Sequence, residues 1–232
     1  MTDYPKLVAE ANRLLFMEGL ATSSGHVSAF DREAGVVHVN SFDTPRGRLR
    51  PADVVGVTLD NEPTDPDASR PVDEVEIHTA IYRARDDVNA VVHVHPPTAT
   101  LFGIAGVDLV PVHIRGSVLE GPVPVLDRPD KITDRDDSDA MLAAMGDANQ
   151  VLIRGHGAVV ADRDVKSAVV RALVIEENAR FQLGASVLGT PVAMTPAEAA
   201  RVRDQNWTPR SIAKRWTFYT WRAAQQGYLP ID

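Results

Sequence analysis

The stretch Asn89-Ala90-Val91-Val92-His93-Val94-His95-Pro96 decides how the rest of the sequence is interpreted, because it predicts a buried β-strand that ends in two histidines. Its β-branched valines fit a pleated, packed surface. Alternate side chains of a strand point to the same face, so His93 and His95 share a face with their Cα atoms about 6.6 Å apart. Two imidazoles at this spacing either bind one metal ion or are ordinary hydrogen-bonded histidines near a sheet edge.

A second informative unit runs from Val151 to Val160 and predicts strand, turn and strand, with His156 between Gly155 and Gly157. Glycine adopts positive φ and allows close approach, so this turn displays its histidine instead of packing it. His93, His95 and His156 together supply three neutral nitrogens. Three such ligands with an open position are typical of a catalytic metal site. Zn, Mn, Fe or Co suits these ligands equally.

A carboxylate precedes the histidine strand. Glu74 begins a predicted helix that extends to Arg85 and leads within a few residues into that strand. A carboxylate beside a metal is a natural general acid/base. Glu76 is the rival candidate two positions on, and charged helix residues are most often simply solvated.

Composition limits the function classes. The chain has 232 residues, is 44% hydrophobic, carries a formal net charge of −8 and contains no cysteine. We expect one domain over residues 1–232, with any metal bound by nitrogen and oxygen. The acidic balance argues against nucleic acid and anionic membranes. A signal-peptide pattern and an apolar run of about 18 residues are both lacking, so we expect a cytoplasmic protein with a small-molecule substrate.

Helices and strands are interspersed, hairpin-like early and helical late, which predicts an α/β domain. An aromatic-rich C-terminal helix is predicted at about residues 207–226, and it holds all three tryptophans. This helix either packs on the domain or a neighbouring subunit, or forms an active-site lid.

Two polar loops are candidate substrate contacts. The small loop containing Ser24, Gly25 and His26 either offers backbone N–H groups to an anion or is an ordinary turn. The loop from Arg46 to Arg50 concentrates three guanidinium groups, which form either a carboxylate or phosphate clamp or a solvated surface.

These motifs, in this order, resemble the class II aldolase/adducin superfamily from about Leu7 to Gly189. The matching residues are Ser24 to Ser28, Pro71 to Glu74 with His78, His93-x-His95-Pro96, and Gly155-His156-Gly157. The resemblance implies a three-layer α/β/α fold with a central, mainly antiparallel sheet. It also implies a homotetramer with active sites at subunit interfaces, a divalent metal bound by His93, His95 and His156, and Glu74 as the catalytic acid/base, because it lies four residues before His78.

The sequence departs from the sugar-phosphate aldolases of that superfamily. Gly25-His26 stands where they have Gly-Asn, and Val72-Asp73 stands where they have Ser-Ser. An aspartate there would repel a phosphate. Gly-His-Val-Ser together with Arg-Gly-His-Gly is more similar to the decarboxylases that act on hydroxylated pyridine or benzene dicarboxylates. We therefore predict a metal-dependent carbon–carbon lyase, with decarboxylation favoured.

In this interpretation the substrate contacts are Ser24, Gly25, His26, Arg46, Arg48 and Arg115. The alternatives are an aldolase that cleaves a hydroxy-carbonyl or sugar-phosphate compound, and an epimerase or dehydratase that uses the same site. A third alternative is a non-catalytic, adducin-like binding module, which would not need the three histidines.

Overall fold

The centre of the computed structural model, which describes residues 2–231, is one seven-stranded sheet. Its order is β3-β2-β1-β4-β7-β6-β5, and every neighbouring pair is antiparallel except the parallel pair β5–β6. The strands are β1 (His26–Asp31), β2 (Val36–Asn40), β3 (Val54–Val57), β4 (Ala90–Val94), β5 (Val125–Leu126), β6 (Gln150–Ile153) and β7 (Gly157–Asp162).

Helices cover both faces of the sheet. They are α1 (Tyr4–Met17), α2 (Val75–Ala84), α3 (Pro97–Ala105), α4 (Arg135–Met145), α5 (Val165–Leu188), α6 (Pro196–Asn206) and α7 (Pro209–Gln225), with short 3-10 turns at Arg46–Arg48, Pro51–Asp53 and Ile114–Leu119. Because side chains alternate along a strand, Val92 and Val94 pack in the core beneath α1, α3 and α5, whereas Val91 packs against α2 and α4. The predicted three-layer α/β/α fold with a mainly antiparallel sheet is confirmed.

The two sides of the sheet are called below the α5 face, covered by α1, α3 and α5, and the α2 face, covered by α2 and α4. His93 alternates with Val92 and Val94 and therefore lies on the α2 face with Val91. This placement directs the first histidine of the opening motif toward the start of α2.

Local signals explain several helix ends. The Asp3 side chain accepts a hydrogen bond from the Lys6 N–H and caps α1, and Thr195 forms a capping box with Glu198 at α6. The helix predicted from Glu74 begins one residue later, at Val75, with Glu74 at the N-cap position. That position leaves the Glu74 side chain free to face away from the helix axis.

The C-terminal helix α7 is amphipathic. Ile212, Trp216 and Ala223 are buried where α7 packs on α5 and α1, while Phe218 and Trp221 are 51% and 59% exposed. Within residues 2–231, no helix combines the length and apolar character needed to cross a membrane.

Candidate active site

The register of three strands gathers the histidines at one edge of the sheet. His26, the first residue of β1, lies opposite His93 near the end of β4, and His93 also lies opposite Val159 near the start of β7. His95 follows β4 by one residue, and His156 immediately precedes β7. Residues separated by up to 130 positions in sequence therefore meet because antiparallel neighbours begin and end at the same edge.

Three of these histidines have the chemistry of a metal site. His93, His95 and His156 each offer one ring nitrogen, and these atoms all lie within 4.8 Å of one another. His93 is fully buried, and neither of its ring nitrogens has a hydrogen-bond partner among residues 2–231. A buried polar group left without a partner costs about 1–3 kcal/mol, and a metal bound at the lone-pair nitrogen of His93 would remove that cost there. A divalent cation fits this donor set.

Neighbouring groups orient the other two imidazoles. The Nδ1 of His156 lies 3.1 Å from the carbonyl oxygen of Asp130. A carbonyl only accepts, so this Nδ1 carries the ring proton and Nε2 keeps a free lone pair. The Nδ1 of His95 lies 3.3 Å from the hydroxyl of Ser24, and the His95 backbone N–H donates to Leu20 at 2.8 Å. Each contact leaves one nitrogen free to bind a metal.

The protonation state suits the same purpose. Burial lowers the pKa of His93 well below its ordinary value, and the neighbouring His26 lowers it further. Burial, followed by repulsion from His156, also lowers the pKa of His95. Both rings are therefore neutral near pH 7, and the neutral imidazole is the form that binds metals.

Glu74 faces the histidine group. Its Oε2 lies 3.8 Å from His26 Nε2 and 3.9 Å from His93 Nε2, and its Oε1 lies 3.8 Å from His156 Nε2. The backbone N–H of Ile132 donates to Oε1 at 3.1 Å. The carboxylate is thus buried, anchored on one oxygen, and central to the site.

Glu76, the rival candidate, has a different environment. Asn61 donates to it at 2.6 Å, Ser138 donates at 3.0 Å, and Arg83 pairs with it. Burial pushes the pKa of Glu76 up, but these hydrogen bonds and Arg83 outweigh burial and hold the pKa below its ordinary value. This carboxylate therefore ties α2 to α4 and to the loop at residue 61.

None of the three predicted arginines forms a hydrogen bond with the histidine group within residues 2–231, although Arg46 lies beside it. Arg46 is buried, and its Nε donates to Gly25 O at 2.7 Å while Nη1 donates to loop carbonyls of Ser41, Phe42 and Thr44. Arg48 is exposed. Arg115 is exposed and pairs with Glu177 of α5 at 2.7 Å. Of the other predicted substrate contacts, Ser24 hydrogen-bonds to His95 and the His26 ring contacts the His93 ring.

Sequence reasoning missed a buried chain of polar groups behind His26. The Nδ1 of His26 lies 2.6 Å from His78 Nε2, the Nδ1 of His78 lies 2.6 Å from Ser28 Oγ, and Ser28 Oγ lies 2.6 Å from Tyr82 OH. A signal existed, because His78 and Tyr82 are four apart on α2 and Ser28 is two residues from His26 on β1. Both spacings place side chains on one face.

Comparisons with known proteins agree with this geometry. A family profile described as Class II Aldolase and Adducin N-terminal domain matches residues 6–183. A 3,4-dihydroxyphthalate decarboxylase of Terrabacter sp. (strain DBF63) is 33% identical over 207 residues, which cover 83% of this chain and 85% of the relative.

Two further similarities extend the comparison. A 5-deoxy-D-ribulose 1-phosphate aldolase of Bacillus thuringiensis serovar kurstaki is 27% identical, over 80% of this chain and 86% of the relative. The crystal structure of an aldolase II superfamily protein from Pseudomonas syringae superposes with a TM-score of 0.83 at 21% identity, covering 97% of this chain and 93% of that one. The structural similarity supports the fold.

Proposed function

Because the chain belongs to the class II aldolase and adducin family, we propose that it is a divalent-metal-dependent carbon–carbon lyase that decarboxylates a hydroxylated aromatic dicarboxylate. The observation that carries this proposal is the position of Glu74, whose carboxylate oxygens lie within 4 Å of ring nitrogens of His26, His93 and His156. The decarboxylase relative from Terrabacter, at 33% identity over most of both chains, supports the choice of reaction.

We infer that His93, His95 and His156 hold one divalent ion, with Zn, Mn, Fe or Co as candidates. The clustering of their nitrogens within 4.8 Å and the two partnerless nitrogens of His93 support this assignment. When bound, such an ion would supply Lewis-acid polarisation of the substrate oxygens beside the carboxylate that is lost.

Glu74 is proposed to supply the proton. Loss of CO₂ from 3,4-dihydroxyphthalate breaks the bond between the ring and the carboxylate beside a hydroxyl, and leaves the bonding electron pair on the ring carbon. That carbon must take up one proton, which gives 3,4-dihydroxybenzoate. A protonated Glu74 delivers it and is then reprotonated from solvent. The Ile132 N–H holds Oε1, which orients the carboxyl group.

The remaining predicted residues either support the site or are proposed to hold the substrate. Ser24 orients His95, and His26 presents its Nε2 to the site. Arg46 shapes the loop through the Gly25 carbonyl. Arg48 and Arg115 remain proposed contacts for a second carboxylate, and both side chains are exposed on this chain.

We propose a homotetramer in which neighbouring subunits complete each site. His95 and His156 are only half-buried, so the site opens to the surface. Exposed apolar side chains on α3 and α5, which include Leu101, Ile104 and Val187, offer an interface. Light scattering is expected to give four times the mass of one chain, and a monomer that retains full turnover would contradict the shared site.

The proposed reaction is tested by CO₂ release. The purified protein is incubated with Zn²⁺ or Mn²⁺ and 3,4-dihydroxyphthalate, and separately with 5-deoxyribulose 1-phosphate. We expect CO₂ from the dicarboxylate and no aldehyde from the sugar phosphate. Release of aldehyde without release of CO₂ would contradict the decarboxylase assignment and would still agree with a carbon–carbon lyase.

An aldolase remains the second candidate because of one contact pair. Asp73, whose charge argues against a phosphate, pairs with Arg70 through one oxygen and lies 3.7 Å from Lys131 Nζ through the other. These cations offset its charge and weaken the repulsion. Activity of Asp73→Ser on the sugar phosphate, absent from the unmodified protein, would show that this residue excludes phosphate.

A further inference from the structure

The site contains two overlapping groups of metal-binding side chains. One is His93, His95 and His156, and the other is His26, Glu74 and His93. Both include His93, so the two groups compete for one ion. Which group binds depends on whether His26 Nε2 carries a proton or a lone pair, because His26 Nδ1 is already engaged by His78 at 2.6 Å.

The chain behind His26 has a direction, and its hydroxyl end determines that direction. Burial raises the pKa of Tyr82, so the phenol keeps its proton. Within residues 2–231, the Tyr82 proton is donated to Ser28 Oγ, which lies 2.6 Å from the phenol oxygen. Ser28 then donates its own proton to His78 Nδ1.

The direction continues to the site. With Nδ1 of His78 accepting, its proton lies on Nε2 and is donated to Nδ1 of His26. The His26 proton therefore lies on Nε2, which faces Glu74 at 3.8 Å. Every proton in this arrangement has an acceptor or points into the site.

The reverse direction leaves a buried donor unsatisfied. If His26 donated from Nδ1, His78 would donate to Ser28, Ser28 would donate to Tyr82, and the phenol proton would have no acceptor. His26, Ser28, His78 and Tyr82 are each at most 4% exposed, so water does not reach the phenol. An unsatisfied buried donor costs about 1–3 kcal/mol, enough to favour the first direction.

We propose that the Ser28 hydroxyl, which accepts from Tyr82 and donates to His78, fixes His26 as the Nε2–H tautomer. This makes His26 a hydrogen-bond donor to a substrate oxygen and excludes it from the metal ligands. The substrate part of this inference rests on the proposed function. Ser28, His78 and Tyr82 are positioning residues, since they act through His26. An N–H donor beside Glu74 suits a carboxylate or ring oxygen of the substrate.

The first test reads the tautomer directly. Nitrogen NMR of histidine-labelled protein, recorded without metal and with Zn²⁺, is expected to place the His26 proton on Nε2, with the signal assigned by its loss in His26→Gln. A proton on Nδ1 overturns the proposal. Because the result does not depend on turnover, it stands apart from any failure of the proposed reaction.

Two variants separate the links of the chain. Tyr82→Phe leaves Ser28 free to donate to His78, so we expect the same single tautomer. Ser28→Ala removes the donor to His78, so both tautomers of His26 should appear. The fraction of the protein with the His26 proton on Nε2 should then fall about twofold, and kcat should fall by the same factor. An unchanged tautomer in Ser28→Ala shows that the Ser28 hydroxyl does not set it. Tyr4→Phe is the matched control, because it removes the hydroxyl of a tyrosine whose ring stacks on His38 instead of on the site.

Zinc titration tests the exclusion of His26. We expect the Zn²⁺ affinity of His26→Gln to lie within about threefold of that of the unmodified protein. We expect the Zn²⁺ affinity of His95→Gln to be more than about 100-fold lower. Equal losses in the two variants overturn the proposal. If the unmodified protein binds no Zn²⁺, the proposed metal site fails, and the tautomer measurement still decides the direction of the chain.

Discussion

Replacing Gly157 by alanine is expected to displace His95. A Cβ atom built at this position would lie 2.4 Å from the carbonyl oxygen of Val94 and 2.8 Å from His95 Cδ2. Ordinary contacts begin at 3.4 Å, so the β4 backbone must retreat by about 1 Å. Since β4 and β7 are paired and fully buried here, the movement is passed to the histidine at the end of β4.

The magnitude follows from that displacement. A shift of about 1 Å at a reacting centre costs about 100-fold in rate. Overpacking adds about 1–3 kcal/mol of destabilisation. We therefore expect Gly157→Ala to remain folded, to bind Zn²⁺ at least about tenfold more weakly, and to lose about 100-fold in kcat/KM for CO₂ release.

The matched control is Gly121→Ala, because a Cβ at Gly121 meets no atom within 4 Å. Metal affinity is measured by titration calorimetry, turnover by CO₂ release, and stability by urea unfolding. If Gly157→Ala binds Zn²⁺ and turns over like the control while losing only stability, then His95 does not bind the metal in the position the structure gives it.

Three further results are expected. Glu74→Gln should lower kcat by about 100- to 10,000-fold with little change in Zn²⁺ affinity, measured by CO₂ release and calorimetry, and full turnover would remove Glu74 from proton transfer. Glu76→Ala should instead lower the free energy of unfolding by about 1–3 kcal/mol, because it leaves the Asn61 and Ser138 donors without their acceptor; urea unfolding without such a loss contradicts the structural role. Burial lowers the pKa of His26, His78 and His93 in the native state, so below about pH 6.5 the unfolded chain binds protons that the native chain does not. The metal-free protein should therefore lose up to about 4 kcal/mol of stability for each unit by which the pH falls below this value. A stability that does not change with pH in acid unfolding would contradict the neutrality of these three histidines.

The sequence was sufficient where a local pattern carries the three-dimensional placement. Strand alternation and the glycine-flanked turn singled out His93, His95 and His156, and one ring nitrogen of each lies within 4.8 Å of the others. The layered fold is confirmed, and the predicted carbon–carbon lyase class is supported by relatives that are decarboxylases and aldolases. Glu74 is preferred over Glu76 through the family resemblance, whereas the boundary that separates them, with Glu74 as N-cap and Glu76 in the first turn, lies one residue later than predicted.

Other features depended on contacts that periodicity does not encode. The guanidinium of Arg46 is engaged by the Gly25 carbonyl and by the Thr44 carbonyl of its own loop, which charge counting along the sequence cannot reveal. The β-branched segment from Val110 to His113 forms no strand, because Asn178 and Gln182 of α5 bond the Val110 and Val112 backbone groups in place of a neighbouring strand. A long helix therefore supplies hydrogen bonds that a sheet edge would otherwise provide.

The pairing of β1 with β4 connects the fold to the chemistry. A slip of one residue in β1 would turn His26 and Ser28 from the α2 face to the α5 face. It would also expose Val27 to the polar groups of His78 and Tyr82, so both the apolar core and the hydrogen-bond chain oppose the slip. The hydrophobic pattern thus specifies the same register that delivers a directed donor to the site. The buried chain of His26, His78, Ser28 and Tyr82 connects β1 to α2, and each hydrogen bond in it restricts the orientation of the next side chain.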